Sequence, residues 1–251
     1  MNPLVDYVVG LADRSFVLSH RLIQCLTHAP EVDEEVALAN IALDLLGQAR
    51  LLYGRAGEIE GKSRTEDNFA HWRDADAFRN PLLVEVPNGD FAHVMVRQLL
   101  HDAFAHAQWT ALRASADPTV AAVAAKSVNE TAYHLRHSSS WVVRLGGGTA
   151  ESHRRSGAAV DALWPYAAEL FEVLPSDVAA VSAGVGVDPS SLRGQWLARM
   201  MTTLTEASIK VPEIRGMAEA TGGRLGRHSA ALTAMLDESQ SVARAHPGAS
   251  W

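Results

Sequence analysis

The sequence predicts an all-α protein built around four long helices, and three observations support this prediction. Apolar residues recur every three or four positions over long stretches, which is the spacing of one face of a helix. Glycine and proline, which commonly end helices, separate these stretches. No stretch of alternating apolar and polar residues is long enough to indicate a strand.

The first two helices are predicted over about residues 4–28 and 31–60. In the first, apolar side chains recur at helical spacing as far as Leu26. Pro30 then ends the helix, because proline disfavours helical backbone at the residue before it. The apolar face of the second helix continues until Gly61, which closes it.

The third and fourth helices are predicted over about residues 91–116 and 118–145, after a loop-rich excursion. Pro118 suits the first turn of the fourth helix, and the glycines at 146–148 end it. Four helices of this length can form one bundle. The excursion between the second and third helices predicts two antiparallel pairs joined by a crossover, as in ferritin-like folds.

Three further helices are predicted over about residues 150–173, 189–210 and 225–245, flanking the bundle. The whole chain, residues 1–251, is predicted to form a single domain, since this length is ample for one large helical core.

Composition narrows the classes of function. The net charge of −7 argues against nucleic acid as a partner. The single cysteine, Cys25, lies in an apolar helical stretch and is predicted to be a buried structural thiol. The N-terminus lacks the pattern of a secretory signal, and no apolar stretch approaches the roughly 18–20 residues that cross a bilayer. We therefore expect a cytoplasmic protein with no membrane partner.

A ferritin-like bundle can hold two iron ions, so the inward carboxylates and histidines of the long helices indicate whether this one could. Such a centre takes one carboxylate from each of two helices and a Glu-x-x-His pair from each of the other two. The second helix offers Asp44 but no histidine, and Leu45 and Gln48 have the spacing of the pair. Leucine has no donor atom and a neutral amide is a poor substitute for imidazole, so this helix is predicted to lack its ligands.

The third and fourth helices offer an incomplete set. Thr131, not glutamate, stands three residues before His134. We interpret Glu130 with His134, and Asp102 with His106, as polar pairs one helical turn apart.

Asp44 is expected to be a buried carboxylate held by an arginine or histidine across the bundle, because an unpaired one would be costly. No catalytic residue and no metal ligand is predicted in this chain. The alternative is a divergent di-iron oxidase that would use Asp44, Asp102, His106, Glu130 and His134.

A weaker signal lies in the glycine-rich basic stretch "TGGRLGRHS" (221–229). Backbone N–H groups at a helix start, together with Arg224 and Arg227, could hold an anionic group such as a phosphate. The stretch has neither of the standard phosphate-loop patterns and follows no strand. It is therefore interpreted first as a loop, with an anion or coenzyme A site as the alternative.

Four stretches carry a family resemblance: "HAPEVDEEVALANIALDLLGQARLLY" (28–53), "LLVEVPNGDFA" (82–92), "AYHLRHSSSWVVRLGGGT" (132–149) and "VDPSSLRGQW" (187–196). With them the sequence resembles the C subunits of bacterial phenylacetyl-CoA epoxidase, the PaaC family of the phenylacetate degradation pathway. The resemblance extends over the whole chain, and the "ANIALDLLGQAR" and "VEVPNGDFA" blocks are specific.

This resemblance implies a ferritin-like bundle paired with a homologous catalytic A subunit that carries the di-iron centre. The complex is a monooxygenase that forms the ring 1,2-epoxide of phenylacetyl-CoA with O2 and NADPH. A reductase subunit with flavin and iron–sulfur groups supplies the electrons. The C subunit would carry no cofactor, and its role would be to assemble and stabilise the A subunit.

The resemblance also aligns the degenerate positions. Catalytic A-type subunits carry Asp-Glu-x-Gly-His in the second helix, so Leu45 replaces the glutamate and Gln48 the histidine. Thr131 falls at the glutamate position of the fourth helix, and His134 matches the retained histidine. The stretch "GRHSAAL" (226–232) departs from the family pattern Gly-x-His-Thr-Glu-His-Leu, which leaves open any role in contacting the partner or the CoA substrate.

Overall fold

The computed structural model describes residues 2–213 and 220–249, and in that part of the chain it confirms the all-α prediction. Helices and short 3-10 turns account for all the regular secondary structure of these residues, and none of them forms a strand.

Four long helices and one short one form the first part of the fold: α1 (Pro3–Ile23), α2 (Val32–Glu60), α3 (Glu66–His71), α4 (Phe91–Leu112) and α5 (Pro118–Gly146). α1 packs along α2, α4 packs along α5, and α2 also contacts α5, so the two predicted pairs form one bundle. Two of the long helices end several residues earlier than predicted. α1 stops at Ile23, before a 3-10 turn, and α4 stops at Leu112.

Side chains at the helix starts explain where the helices begin. Asp90 accepts a hydrogen bond from the backbone N–H of His93 at 3.0 Å and starts α4. Asp117 accepts from the N–H groups of Thr119 and Val120, both at 3.0 Å, and starts α5 ahead of Pro118. These bonds satisfy N–H groups that have no partner inside a helix.

The second part of the chain contains five shorter helices: α6 (Ala150–Leu163), α7 (Pro175–Ser182), α8 (Arg193–Glu206), α9 (Ala230–Ser239) and α10 (Ser241–Ala245). The predicted helices over 150–173, 189–210 and 225–245 were therefore too long, and α7 was not predicted.

Proline and glycine account for these differences. Pro165 converts the end of the predicted fifth helix into a 3-10 segment over Trp164–Phe171, since it has no N–H to continue the hydrogen bonds of the α-helix. Pro189 opens a 3-10 turn ahead of α8. Gly226 has φ +83°, which delays the last helices until residue 230.

α2 differs from the other long helices in its exposed side. By length and apolar composition it is a candidate membrane span, contrary to the prediction that no stretch reaches that length. Core helices meet the same criterion, and α2 packs on α1 and α5, but only 44% of its most apolar stretch is buried. Its solvent side, here called the α2 outer face, exposes five aliphatic side chains: Val32, Val36, Leu43, Leu46 and Leu51.

The predicted buried thiol is confirmed. Cys25 is a free cysteine that is 7% exposed. Burial raises the pKa of its thiol, which keeps it protonated at neutral pH.

Candidate functional site

The candidate site is the interior of the bundle between α2 and α5. Leu45 and Gln48 on α2, and Thr131 and His134 on α5, are each no more than 2% exposed. The spacing of three residues puts both members of each pair on one helix face. The structure thus brings all four positions that the sequence predicts to be degenerate into the bundle interior.

Gln48 links three helices through its amide. Its Oε1 accepts a hydrogen bond from Ser15 Oγ of α1 at 3.1 Å. Its Nε2 donates to Glu130 Oε2 of α5 at 2.9 Å. The other oxygen of Glu130 lies 2.7 Å from Lys126 Nζ. A neutral amide therefore connects helices at a position where a metal ligand would stand.

The partner of Asp44 is a histidine across the bundle, as expected, but the carboxylate is not buried. His134 Nε2 donates to Asp44 Oδ2 at 3.0 Å, and 35% of the Asp44 side chain is exposed. Asp44 therefore lies at the edge of the bundle, where water lowers the cost of its charge. The second ring nitrogen of His134, Nδ1, is buried and has no hydrogen-bond partner among the described residues.

The prediction of one polar pair within α4 and one within α5 is wrong. On α5, His134 bonds to Asp44 and Glu130 bonds to Gln48, so these two neighbours turn to different partners on α2. Helix-to-helix partners were available to both side chains, and these contacts replace the pairing within one turn.

The residues on α4 also turn to other partners. His106 Nδ1 lies 3.3 Å from Thr131 Oγ1. Asp102 Oδ1 accepts from His101 Nδ1 at 3.0 Å, and its Oδ2 accepts from Ser138 Oγ at 3.1 Å. Burial lowers the pKa of His101 and outweighs the opposite effect of Asp102, so this imidazole is neutral.

These contacts do not fit a di-iron centre. The five residues of the oxidase alternative are divided among separate pairs, and no three His, Cys, Asp or Glu side chains converge anywhere in residues 2–213 and 220–249. Leu45 supplies no donor atom. The hydroxyl of Thr131 donates to the carbonyl oxygen of Ser127 at 2.6 Å, so it is occupied by its own helix.

The glycine-rich stretch binds an anion, but the anion is a side chain of this protein. The Oε1 atom of Glu169 accepts from the backbone N–H groups of Gly222 at 3.0 Å and Arg224 at 2.9 Å. Its Oε2 accepts from Leu82 N–H at 2.7 Å. Burial raises the pKa of Glu169 despite these three bonds.

The guanidinium of Arg224 is also engaged internally, by Asp177 at 2.8 and 2.9 Å. Arg227, by contrast, is exposed. The site predicted at Arg224 and Arg227 is therefore partly filled by the protein itself. A local sequence pattern could not reveal this, because Glu169 is 53 residues from Gly222.

A second buried carboxylate, missed by sequence reasoning, joins two of the stretches that the sequence singled out. Glu85 of "LLVEVPNGDFA" accepts from His228 Nδ1 at 2.6 Å and from Ser229 N–H at 2.7 Å. His228 Nε2 also faces an acceptor, the carbonyl oxygen of Phe78 at 3.1 Å. Burial lowers the pKa of His228, but these bonds outweigh it and the pKa is raised, as expected for a doubly donating imidazolium.

A third buried carboxylate was also missed. Asp13 of α1 is fully buried and accepts hydrogen bonds from the Arg73 guanidinium, from Tyr53 Oη at 2.6 Å and from Arg79 N–H at 2.7 Å. An acidic residue inside an apolar helix stretch was the available signal. Asp13, Glu85 and Glu169 all fasten the chain between α3 and α4 to other parts of the molecule.

Comparisons with known proteins agree with this geometry. The model of the phenylacetic acid catabolic protein family matches residues 1–251. The chain is 44% identical to the C subunit of 1,2-phenylacetyl-CoA epoxidase from Escherichia coli (strain K12), over 251 residues that cover 100% of both chains. The match of the family model and the full-length similarity to the E. coli subunit together show that this chain belongs to the phenylacetic acid catabolic protein family.

Proposed function

We propose that this chain is the non-catalytic structural subunit of a phenylacetyl-CoA epoxidase, in which it pairs with and stabilises the homologous di-iron A subunit. The observation that carries the proposal is the donor set of the bundle interior. Leu45 has no donor, and the Gln48 amide and Thr131 hydroxyl are engaged by protein groups. These residues do not suit iron, for which imidazole nitrogen and carboxylate oxygen are the usual ligands.

The wider complex follows from the same proposal. The partner subunit would hold the di-iron centre, and a reductase subunit with flavin and iron–sulfur groups would deliver electrons from NADPH. This chain would carry no cofactor of its own, and the complex would work in the cytoplasm. The subunit name of the E. coli relative and the family match support a multi-subunit epoxidase, and the cofactors, the electron source and the compartment are what the resemblance implies.

We propose the α2 outer face as the surface that contacts the partner. Leu43 is 63% exposed and Leu51 is 49% exposed on a helix that is otherwise packed in the bundle. Exposed apolar side chains grouped along one helix are typical of protein interfaces. An obligate subunit interface buries roughly 2,000 Å² or more, which a helix of this length can help to supply.

Iron analysis tests the non-catalytic assignment. The chain is purified alone and with its A subunit, and iron is measured in both preparations. We expect iron only where the A subunit is present. Stoichiometric iron in the isolated chain would contradict the proposal.

Turnover of the reconstituted complex gives a second test, with Asp44→Asn and His134→Gln in this chain. We expect both complexes to assemble and to keep epoxidase activity near that of the unaltered complex. A loss of activity of about 100-fold with intact assembly would instead assign these residues to the chemistry, since removing an acid–base group costs roughly that much.

Co-purification tests the interface. Leu43→Glu places a charge on the α2 outer face, and we expect it to reduce capture of the A subunit by about tenfold or more, since a buried unpaired charge in an interface is costly. Val242→Glu is the matched control, since Val242 is a similarly exposed aliphatic residue, at 57%, on α10. Equal capture by both variants would exclude the α2 outer face as the contact.

A further inference from the structure

A groove of about 650 Å³ lies between α1, α2 and α3, apart from the candidate site in the bundle interior. Two histidines line it, His20 of α1 and His71 of α3, and neither takes part in the contacts described above. The ring of Phe16 lies next to both, with its centroid 4.3 Å from that of His20 and 6.3 Å from that of His71. The groove thus combines imidazole groups with an aromatic side chain.

The hydrogen bonds of His20 fix which ring nitrogen carries its proton. Nδ1 lies 3.0 Å from the carbonyl oxygen of Phe16, which can only accept, so Nδ1 is the protonated nitrogen. Burial lowers the pKa of His20 and outweighs the opposite effect of this bond, so the ring is neutral at neutral pH. In a neutral imidazole with its proton on Nδ1, Nε2 is a hydrogen-bond acceptor.

The acceptor atom of His20 is accessible. Nε2 forms no hydrogen bond with the described residues, and it is not one of the unpartnered polar atoms that are closed off from solvent. His71 differs in this respect, because its Nδ1 is closed off and cannot meet a ligand. His20 Nε2 is therefore available to a ligand that donates a hydrogen bond.

The charged side chains of the lining disfavour an anion. Arg50 Nε lies 3.4 Å from Glu66 Oε1, so these two charges offset each other, and Asp67 adds a negative charge. A carboxylate or phosphate would meet this charge and the lone pair of Nε2. An ammonium group suits the site poorly for another reason, because a single acceptor leaves two of its three N–H donors unpaired. A neutral ligand with one donor fits best.

Apolar groups provide the rest of the contact surface. Leu46 is 38% exposed on one wall, and the small side chains of Ala49 and Ala70 leave room for a ring beside it. Aromatic ligands pack well against aromatic side chains, and a ring hydroxyl has one O–H donor to match the one acceptor. We propose that this groove binds a neutral phenol, whose hydroxyl donates to His20 Nε2 and whose ring contacts Leu46.

Binding is tested on the isolated full-length chain, so the result does not depend on the proposed function. Phenol, anisole, benzoate and benzylamine are titrated by NMR at about pH 7.5, above the ordinary pKa of histidine. We expect phenol to shift the Nε2 signal of His20 and to bind about tenfold more tightly than anisole, since one hydrogen bond accounts for about that factor. Equal binding of phenol and anisole, tighter binding of benzoate or benzylamine, or no saturable binding of phenol would overturn the proposal.

His20→Phe locates the site, because it keeps a ring beside Phe16 and removes the acceptor. His28→Phe is the matched control, since His28 is an exposed histidine in the 3-10 turn after α1. We expect the affinity for phenol to fall about tenfold in the first variant and to stay unchanged in the second. Equal affinities would place the ligand elsewhere. Should His20→Phe fail to fold, crystals of the unaltered chain soaked in 4-bromophenol decide the matter: a bromine anomalous peak in the groove supports the proposal, and its absence there contradicts it.

Discussion

The polar groups of the bundle interior and the two carboxylates of the loop junction, where the chain between α3 and α4 meets residues 221–229, differ in how completely they are hydrogen-bonded. In the bundle interior, His134 Nδ1 and Ser127 Oγ have no hydrogen-bond partner among the described residues. In the loop junction, both oxygens of Glu85 and both oxygens of Glu169 are bonded. The two carboxylates of the loop junction have both oxygens hydrogen-bonded, whereas two polar atoms of the bundle interior have no partner among the described residues.

This difference indicates that the shape of the bundle and the position of the loops depend on different interactions. The bundle is held by apolar helix faces, which keep its form even where individual polar groups are poorly matched. The chain between α3 and α4 also buries Phe78, Leu83 and Val84 in the core, but charged hydrogen bonds join it to the other segments of the loop junction. We therefore expect substitutions of the carboxylates that hold the chain between α3 and α4, namely Asp13, Glu85 and Glu169, to cost more than a substitution of Gln48 in the bundle interior.

The largest effect is expected for Asp13→Asn. Asp13 lies on α1 but holds the chain between α3 and α4, and its replacement leaves the buried Arg73 guanidinium without its counter-charge. The loss should lower the free energy of unfolding by about 3–5 kcal/mol, the cost of breaking a buried pair. Urea denaturation measures it. Asp67→Asn, at an exposed position of α3, is the control and should change stability by about 0.5 kcal/mol or less. Equal losses of unfolding free energy in Asp13→Asn and Asp67→Asn would contradict the prediction that the buried ion pair stabilises the fold.

A smaller effect is expected for Glu169→Gln, because the amide keeps one acceptor and turns its NH2 group toward an N–H donor. An unsatisfied buried donor costs about 1–3 kcal/mol, so we expect a loss of that order in urea denaturation. Glu172→Gln, three residues along and less buried, is the control. A gain in stability at Glu169 would mean that burial of the charge outweighs its three bonds.

The His228–Glu85 contact predicts a pH dependence of stability. Because the folded pKa of His228 is raised above its unfolded value of about 6.5, its contribution is complete below about pH 6.5 and is lost as pH rises through the folded pKa. The Tm of the unaltered chain should exceed that of His228→Gln most at about pH 5.5 to 6 and least near about pH 9. A gap that widens with rising pH would contradict the imidazolium assignment.

The smallest effect is expected in the bundle interior. Gln48→Met removes the bonds to Ser15 and Glu130 but keeps the volume, while Lys126 continues to neutralise Glu130. A loss of about 1 kcal/mol is expected, because the bond to Ser15 joins neutral groups and the Glu130 carboxylate keeps its ion pair with Lys126. A loss as large as that of Asp13→Asn, measured in the same urea titration, would remove the contrast between the two regions.

Sequence periodicity predicted the four long helices and placed Leu45, Gln48, Thr131 and His134 in the bundle interior, because both signals are local. The spacing of three residues between Leu45 and Gln48 is visible in any helix, and the helix faces then determine what lies inside. Helix ends were less accurate where proline changes the backbone, as at Pro165. The partners of Glu85 and Glu169 were not predictable, since His228 is 143 residues from Glu85 and only packing brings them together.

The hydrogen bonds around Glu169 have a further consequence, because these N–H groups form a carboxylate-binding site that a side chain of the same chain occupies. If the side chain were removed by Glu169→Gly, the N–H groups of Leu82, Gly222 and Arg224 would remain aimed at one point. Formate or acetate from solution would then be the natural occupant and would restore lost stability by chemical rescue. An ordinary structural glutamate thus marks a place where this fold could acquire a small-molecule dependence through one substitution.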